Sequence, residues 1–396
     1  MQQQKKRTSM SHINTIFHQV LQLIPRYKFD QQVLLNNGDY YAKQHKCWGQ
    51  FSTLLYAQAS KKDSLRDIET GLKLQREKLY HLGTQNIPRS TLSYLNQHKP
   101  AEIYEGLFYD LSQKMYKFAR REKRFRFKNP LKALDSSTID LCLALFPWAK
   151  FRTTKGAIKI HNLFDVKDQI PEVIIIEKGN KSDISIAKEM DFSKYLDSII
   201  VMDRGYVDFT WLSELNKQKV FFVTRLKDKV KYLVIGQHKM AIGKGIIKDE
   251  IIELTNSKNK YPERLRLVTF YDEETGNTYE FITNIFHLAA STVANIYKAR
   301  WDIELFFKWI KQNLRIKTFY GTNRNAVMTQ IWIAMIYYLL LTYMKHQTKY
   351  DYSLLDLTRI LEEKLFDRVV FLDLLALKFM SGSKANAPNP YQLSLF

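Results

Sequence analysis

Residues 297–311 read YKARWDIELFFKWIK and hold neither glycine nor proline. The stretch reads as one helix. At about 3.6 residues per turn, Tyr297, Arg300, Glu304, Lys308 and Lys311 share a face, and Ile296, Ile303, Phe307, Ile310 and Leu314 share another roughly a quarter-turn away. The apolar face would bury the helix against a core. The other face then presents one carboxylate among several cations at the core's edge. A solvated helix with i,i+4 ion pairs has the same pattern. Read as a site, it suits a place where a metal meets a polyanion: the acid binds the metal and the cations hold phosphates.

Two aspartates upstream close short apolar runs. The run 198–202 ends at Asp203-Arg204-Gly205-Tyr206 and suits a strand buried on both faces. An amphipathic helix at 207–217 and a second strand at 220–225 follow. This strand–helix–strand unit puts Asp203 at the carboxyl end of its first strand, where ligands bind in open α/β sheets. Asp135 closes the run 131–134 and precedes Ser136, Ser137 and Thr138. Either aspartate alone also fits a turn or helix cap. The order Asp135, Asp203, Glu304 carries the argument as a set. The stretch between Asp203 and Glu304 is too long for one helix and one strand, so it predicts an insertion.

The spacing Y-x2-R-x3-E-x6-K over Tyr297, Arg300, Glu304 and Lys311 resembles the YREK signature of DDE transposases of bacterial insertion sequences, in particular insertion-sequence family four. Asp203-Arg204-Gly205-Tyr206 resembles that family's second-aspartate motif, and Asp135-Ser136-Ser137 its first. The runs at 64–69, 80–83 and 89–92 resemble the amino-terminal domain of one branch. The likeness thus covers about the first hundred residues and the stretch 130–345. It implies an RNase H-like catalytic domain in which Asp135, Asp203 and Glu304 hold Mg²⁺ or Mn²⁺, two ions in all. These would activate water or a 3′-OH against a phosphodiester. Tyr297, Arg300 and Lys311 would contact DNA near the cleavage site. The family also implies excision of a mobile element by a DNA-bound homodimer and joining of its 3′ ends to target DNA. A hairpin intermediate is often involved, with a flipped base stacked on an aromatic. No tryptophan lies between Trp211 and Trp301, which leaves Tyr232, Tyr261, Phe270 and Tyr271 as substitutes.

The bulk properties agree with a polyanion partner. The 396 residues carry a formal net charge of +21, spread along the chain, which favours double-stranded DNA through phosphate contacts and counterion release. The longest mostly apolar run, 331–344, is short of a membrane span and fits a buried helix. The start of the chain, MQQQKKR, has no signal-peptide core. Two distant cysteines, Cys47 and Cys142, fit a reducing cytoplasm, and carboxylates alone point to a hard cation.

The expected fold is α/β, an RNase H-like domain with a β-rich insertion, preceded by a mostly helical DNA-binding domain. The boundaries are 1–125 for the helical domain, 126–225 and 281–346 for the two parts of the catalytic domain, and 226–280 for the insertion. A carboxyl-terminal helix and tail take 347–396. In the first of these, Pro88 suits a helix start, and Arg89 with its polar neighbours can reach DNA, as in a helix-turn-helix variant. A plain helical bundle fits the same residues. The basic run 120–128 suggests a linker or DNA-facing connector, and residues 381–390 a tail. His161 falls on a strand that could approach the acids, and a satisfied core histidine fits equally. Two other functions use the same features: an RNase H-like nuclease without strand transfer, and a non-catalytic DNA-binding regulator.

Overall fold

Seven helices come first among the described residues: α1 (Ile16–Gln22), α2 (Arg26–Leu35), α3 (Cys47–Ala59), α4 (Leu65–Leu74), α5 (Arg76–Leu79), α6 (Arg89–His98) and α7 (Glu102–Tyr116). Local chemistry sets several ends. Thr15 caps α1 by accepting the His18 N–H, and Ser64 caps α4 by accepting that of Asp67. Gly83, at φ +66°, turns the chain left-handed after α5, and Pro88 leads into α6. The mixed region follows: β1 (Leu131–Leu141), β2 (Lys150–Arg152), β3 (Lys155–Asp165), β4 (Ile170–Lys178), α8 (Asp183–Glu189), β5 (Ile199–Met202), α9 (Phe209–Lys217), β6 (Phe221–Arg225), β7 (Tyr232–Gln237), β8 (Ile246–Leu254), β9 (Leu265–Asp272), β10 (Asn277–Thr283), α10 (Ala290–Lys298) and α11 (Trp301–Asn313). Helices α12 (Arg324–Gln347) and α13 (Leu354–Lys364) complete the order. The computed structural model describes residues 14–116, 127–238, 244–314, 316, 318–347 and 352–375. The extreme amino terminus, most of the basic run 120–128 and the tail 381–390 lie outside the described residues.

Two units divide the chain, residues 1–115 with 313–386 and residues 116–312 with 387–396. The first is helical. Its core is α3, buried along nearly its whole length, against α12, whose run 331–341 is buried throughout. Helix α12 is long and apolar enough to cross a membrane, but its apolar length is covered by this unit. Helices α6 and α13 flank it. Inside the core, Gln50 donates to Asn96 Oδ1 and accepts from the Tyr104 hydroxyl, so the buried amide is satisfied. Asn325, at the start of α12, donates to the carbonyls of Asn96 and Lys99 and ties α12 to the end of α6.

The second unit is one mixed ten-stranded sheet in the order β2-β3-β1-β5-β6-β10-β9-β8-β7, with β4 also on β3. Strands β1, β5 and β6 run parallel to their neighbours in this group, and β10 closes antiparallel on β6. The expected insertion residues supply β7, β8, β9 and most of β10, and they extend the same sheet edgewise rather than build a second one. Leu134, Leu163, Phe222 and Ile282 pack on one face with Trp211 and Leu212 of α9. On the other face Phe306 of α11 meets Phe164 at 5.0 Å between centroids, and Tyr297 of α10 meets Phe281 at 4.6 Å.

One buried ion pair anchors the approach to α10. Arg266 of β9 is fully buried and bidentate to Asp249 of β8, both contacts at 2.7 Å. Its remaining nitrogen donates to the carbonyls of Ile285 and Leu288, in the loop entering α10. Removing one partner of such a pair leaves a buried charge without compensation, at a cost of about 3–5 kcal/mol. Arg266→Ala should therefore lower stability by about that amount in urea unfolding followed by tryptophan fluorescence. A wild-type unfolding midpoint would remove the clamp from the account.

Candidate active site

Sheet register brings the first two acids together. Leu134 pairs with Met202 across the parallel β1–β5 ladder, so Asp135 and Asp203 follow side by side. On the same sheet face Asn162 of β3 stands opposite Asp135. Val201 pairs with Val223, which carries Asp203 to the level of Arg225 on β6, and Arg225 pairs with Phe281 of β10. Asn162, Asp135, Asp203, Arg225 and Phe281 thus form a row across five strands. Strand β1 runs past Asp135 to Leu141, so the residue sits inside a strand, where its parallel ladder stops, rather than at the strand's end.

The third acid arrives from above the sheet. The expected single helix over 297–311 is corrected here. It breaks at Ala299 and Arg300 into α10 and α11, and the backbone crosses the break on i→i+3 bonds from Arg300, Asp302 and Ile303. No glycine or proline causes it. Tyr297 is held against Phe281, while the Arg300 guanidinium turns to two carboxylates. Arg300 Nη2 lies 2.5 Å from Glu304 Oε1, and Nη1 lies 3.5 Å from Asp135 Oδ2. Lys311 lies on the same face of α11, two turns beyond Glu304 and about 10 Å along the axis. Arg89 begins α6 in the helical unit and is exposed, its backbone N–H donating to Glu69.

Burial pushes the Asp135 carboxyl up to about 7; the Ser136 amide and Arg300 oppose this, and Asp203 and Glu304 add to it. Asp203 is held differently: its Oδ1 accepts the Gly205 N–H at 2.8 Å, and its carbonyl accepts the Thr224 hydroxyl. Burial also raises the Tyr297 phenol.

Several residues near the acids carried no signal along the chain. Asn162 is fully buried, and neither atom of its amide has a hydrogen-bond partner. Arg225 lies over the Tyr279 ring at 4.9 Å. It joins Phe270, Tyr279, Phe281, Tyr297, Lys298, Arg300 and Trp301 around a pocket of about 120 Å³ beside the acids. For Asn162 and Arg225 only the strand register reveals the place. His161 is one residue from Asn162 and therefore faces the opposite side of the sheet. There Asp183 accepts from Ser136 Oγ at 2.5 Å and pairs with Lys159 at 3.0 Å; His161 lies 3.5 Å away, its pKa lowered by burial to about 4.

The donor chemistry fits a hard cation, since every candidate ligand is a carboxylate. Among the described residues no three acidic, histidine or cysteine groups lie close enough together to hold a metal. Arg300 supplies the positive charge between Asp135 and Glu304 instead.

Comparison with known proteins adds to this geometry. A profile of the transposase DDE domain matches residues 126–340, and one of a domain of unknown function matches residues 12–85. The putative transposase y4zB of Sinorhizobium fredii is 30% identical over 303 residues, 75% of this chain and 82% of its own. The probable transposase for insertion sequence element IS5377 of Geobacillus stearothermophilus is 29% identical over 265 residues, 66% of this chain and 68% of its own. A solved piggyBac transposase synaptic complex with hairpin DNA is a looser likeness, with a TM-score of 0.47 at 9% identity over 98% of this chain and 89% of that one.

The electrostatics of Asp135 can be tested without DNA. Its folded-state pKa of about 7 exceeds the ~3.9 of a free aspartate, so its contribution to stability is present below about pH 4 and is lost as pH rises through 7. Asparagine keeps the neutral shape at every pH. In metal-free protein, Asp135→Asn should gain melting temperature over wild type progressively between about pH 4 and 7 and hold that gain above it. A gain independent of pH would contradict the burial of this carboxyl.

Proposed function

Because the chain belongs to the transposase DDE domain family, we propose that it cleaves phosphodiester bonds at the ends of an insertion sequence and joins the freed 3′ ends to target DNA. The single observation that carries the reading is the convergence of acids from three distant parts of the chain. Register sets Asp135 beside Asp203, and one guanidinium spans Asp135 and Glu304. We read the unit as RNase H-like and the subfamily as the YREK type. Residues 1–125 are read as the DNA-binding domain, 226–280 as an insertion and 347–396 as a carboxyl-terminal helix and tail. A homodimer on two DNA ends completes the reading.

Asp135, Asp203 and Glu304 would hold Mg²⁺ or Mn²⁺, two ions in all. When bound, the metal supplies an activated water or 3′-OH and stabilises the leaving oxygen. The protein's own part is to position and to compensate charge. Asp135, with a raised pKa, must give up its proton to become a ligand. Arg300 releases its longer contact, to Asp135, and turns to a phosphate oxygen, while its shorter contact keeps Glu304 oriented. Arg225 and Lys311 offer further cations along the strand path, and Tyr297 a phenol donor. Of the four substitute aromatics, Phe270 lines the pocket beside the acids, whereas Tyr261 is buried against Phe222. We assign the flipped base to Phe270, with Lys298 lying 5.4 Å from its ring centroid.

Glu304→Gln keeps size and helix but removes a metal ligand's charge. It should reduce Mg²⁺-dependent cleavage of end DNA to background while end binding stays equal to wild type or tighter. Cleavage at the wild-type rate would sink the DDE assignment. Lys311→Ala should instead weaken the end complex or end joining and leave metal binding intact. Phe270→Ala should slow the hairpin step about fivefold or more, from the loss of roughly 1–3 kcal/mol of base stacking, while the initial nick persists.

A further inference from the structure

The helical unit contains a cleft of about 580 Å³ between α2, the start of α3 and the segment from α5 to residue 87. Its lining holds Arg26, His45, Lys46 and Arg76 and not one aspartate or glutamate. Two features make this more than a basic surface. First, Arg26 is stacked on the face of Trp48, with its guanidinium carbon 4.1 Å from the ring centroid. Trp48 is itself fixed, because its indole N–H donates to the Leu82 carbonyl at 3.0 Å. The ring thus holds one cation in place at the cleft wall. Second, α3 begins in the cleft without a capping hydrogen bond from the side chain of Lys46, the residue before it, and its first-turn residues Trp48 and Gly49 are part of the lining. A thirteen-residue helix therefore points its positive end at the same space as the cations. Asp39 accepts the Cys47 N–H at 2.7 Å, but Lys99 neutralises it at 2.7 Å and it does not line the cleft.

Lys46 and Arg76 are exposed and have no carboxylate partner among the described residues, whereas Arg26 shares Asp30 at 3.0 Å. Gly49 matters to the space: a Cβ there would meet Thr84 Oγ1 at 3.3 Å and narrow the floor. At the rim Tyr80 is 85% exposed and adds a hydroxyl and a flat ring.

We propose that this cleft is a phosphate seat through which the helical unit grips the sugar–phosphate backbone of duplex DNA, with Lys46 and Arg76 on adjacent phosphates and the amino end of α3 beneath them. The inference rests on the transposase reading and adds a location to it: backbone contact falls to this cleft as well as to Arg89 on α6. Phosphate contacts fix register and affinity rather than sequence, so the seat would act on end DNA and on shuffled duplex alike.

The test uses the full chain, a fluorescent duplex of its terminal inverted repeat and a shuffled duplex, with binding read by anisotropy over a range of salt. The double variant Lys46→Gln/Arg76→Gln should bind both duplexes at least tenfold more weakly. Its slope of log affinity against log salt should be shallower by about two, one for each lost phosphate contact. Charge reversal, Lys46→Glu/Arg76→Glu, should deepen the loss, and the melting temperature should hold, since both side chains are exposed. Wild-type affinity and slope in the double variant would overturn the seat and leave the transposase reading standing. Failure of the wild-type chain to bind either duplex would overturn that reading itself. Inorganic phosphate is the third arm. Displacement of duplex by phosphate beyond that of chloride at matched ionic strength, lost in the double variant, supports the seat. Phosphate binding at the cleft with duplex affinity untouched by both substitutions means a free-anion site and overturns it.

Discussion

Carboxylates gathered at one partly buried sheet face repel one another, and the arrangement around Asp135 answers to that constraint. Each charge must be compensated by a cation, a proton or a hydrogen bond. Arg300 compensates Asp135 and Glu304 together, and the Gly205 amide serves Asp203. Asp135, more enclosed than Glu304, still falls short, and burial pushes its carboxyl up to about 7. The break between α10 and α11 belongs to the same constraint. An unbroken helix would keep Arg300 on a regular helical face, whereas the i→i+3 turn puts it between the two acids while Tyr297 stays packed on Phe281.

The sheet supplies this arrangement through register, and register is what the sequence hides. The apolar run at 198–202 reads as a strand buried on both faces, and β5 is buried at every position, because such a strand needs hydrophobic residues throughout; the run at 220–225 reads as a strand and forms β6. Pro88 announced the start of α6. By contrast, nothing in the local sequence says that Asn162 stands opposite Asp135, or that Arg225 falls at the level of Asp203. Those relations exist only once four strands are aligned. The helix break was illegible for a related reason. Ala299, Arg300 and Trp301 carry no stop signal, and tertiary contacts overrode a continuous helical pattern. The strands at 226–280 were legible as β structure, but their membership of the main sheet depended on β10 pairing with β6.

Alternation along a strand explains the division of labour between the two faces. Asp135 and Asn162 point one way; Ser136 and His161, each a neighbour in sequence, point the other. The second face holds a closed polar cluster in which Asp183 joins Ser136, Lys159 and His161. That cluster fixes β1 to β3 and to α8 from behind, at the residue adjacent to Asp135. His161 is thus separated from the acids by the thickness of the sheet, and its neutral, buried ring is a packing element of the back face.

The surroundings of the acids are as basic as the chain as a whole. Arg225, Lys298 and Arg300 line the adjoining pocket, and Lys311 follows on the same helix face as Glu304. In water alone such a ring of cations opposes a divalent ion, because each unit charge raises the local potential the ion must meet. On the proposed reading, a phosphodiester would change the balance, since its oxygens would take over the arginines and add ligands of their own. Arg300 is central to the proposed exchange: it spans Asp135 and Glu304, and a phosphate that drew away its longer contact would free Asp135 while the shorter one kept Glu304 oriented. On that reading, metal and DNA would be coupled ligands, each raising the affinity for the other by the same factor. On the proposed reading, the net charge of +21 would favour DNA and would oppose metal uptake by the acids before DNA is in place.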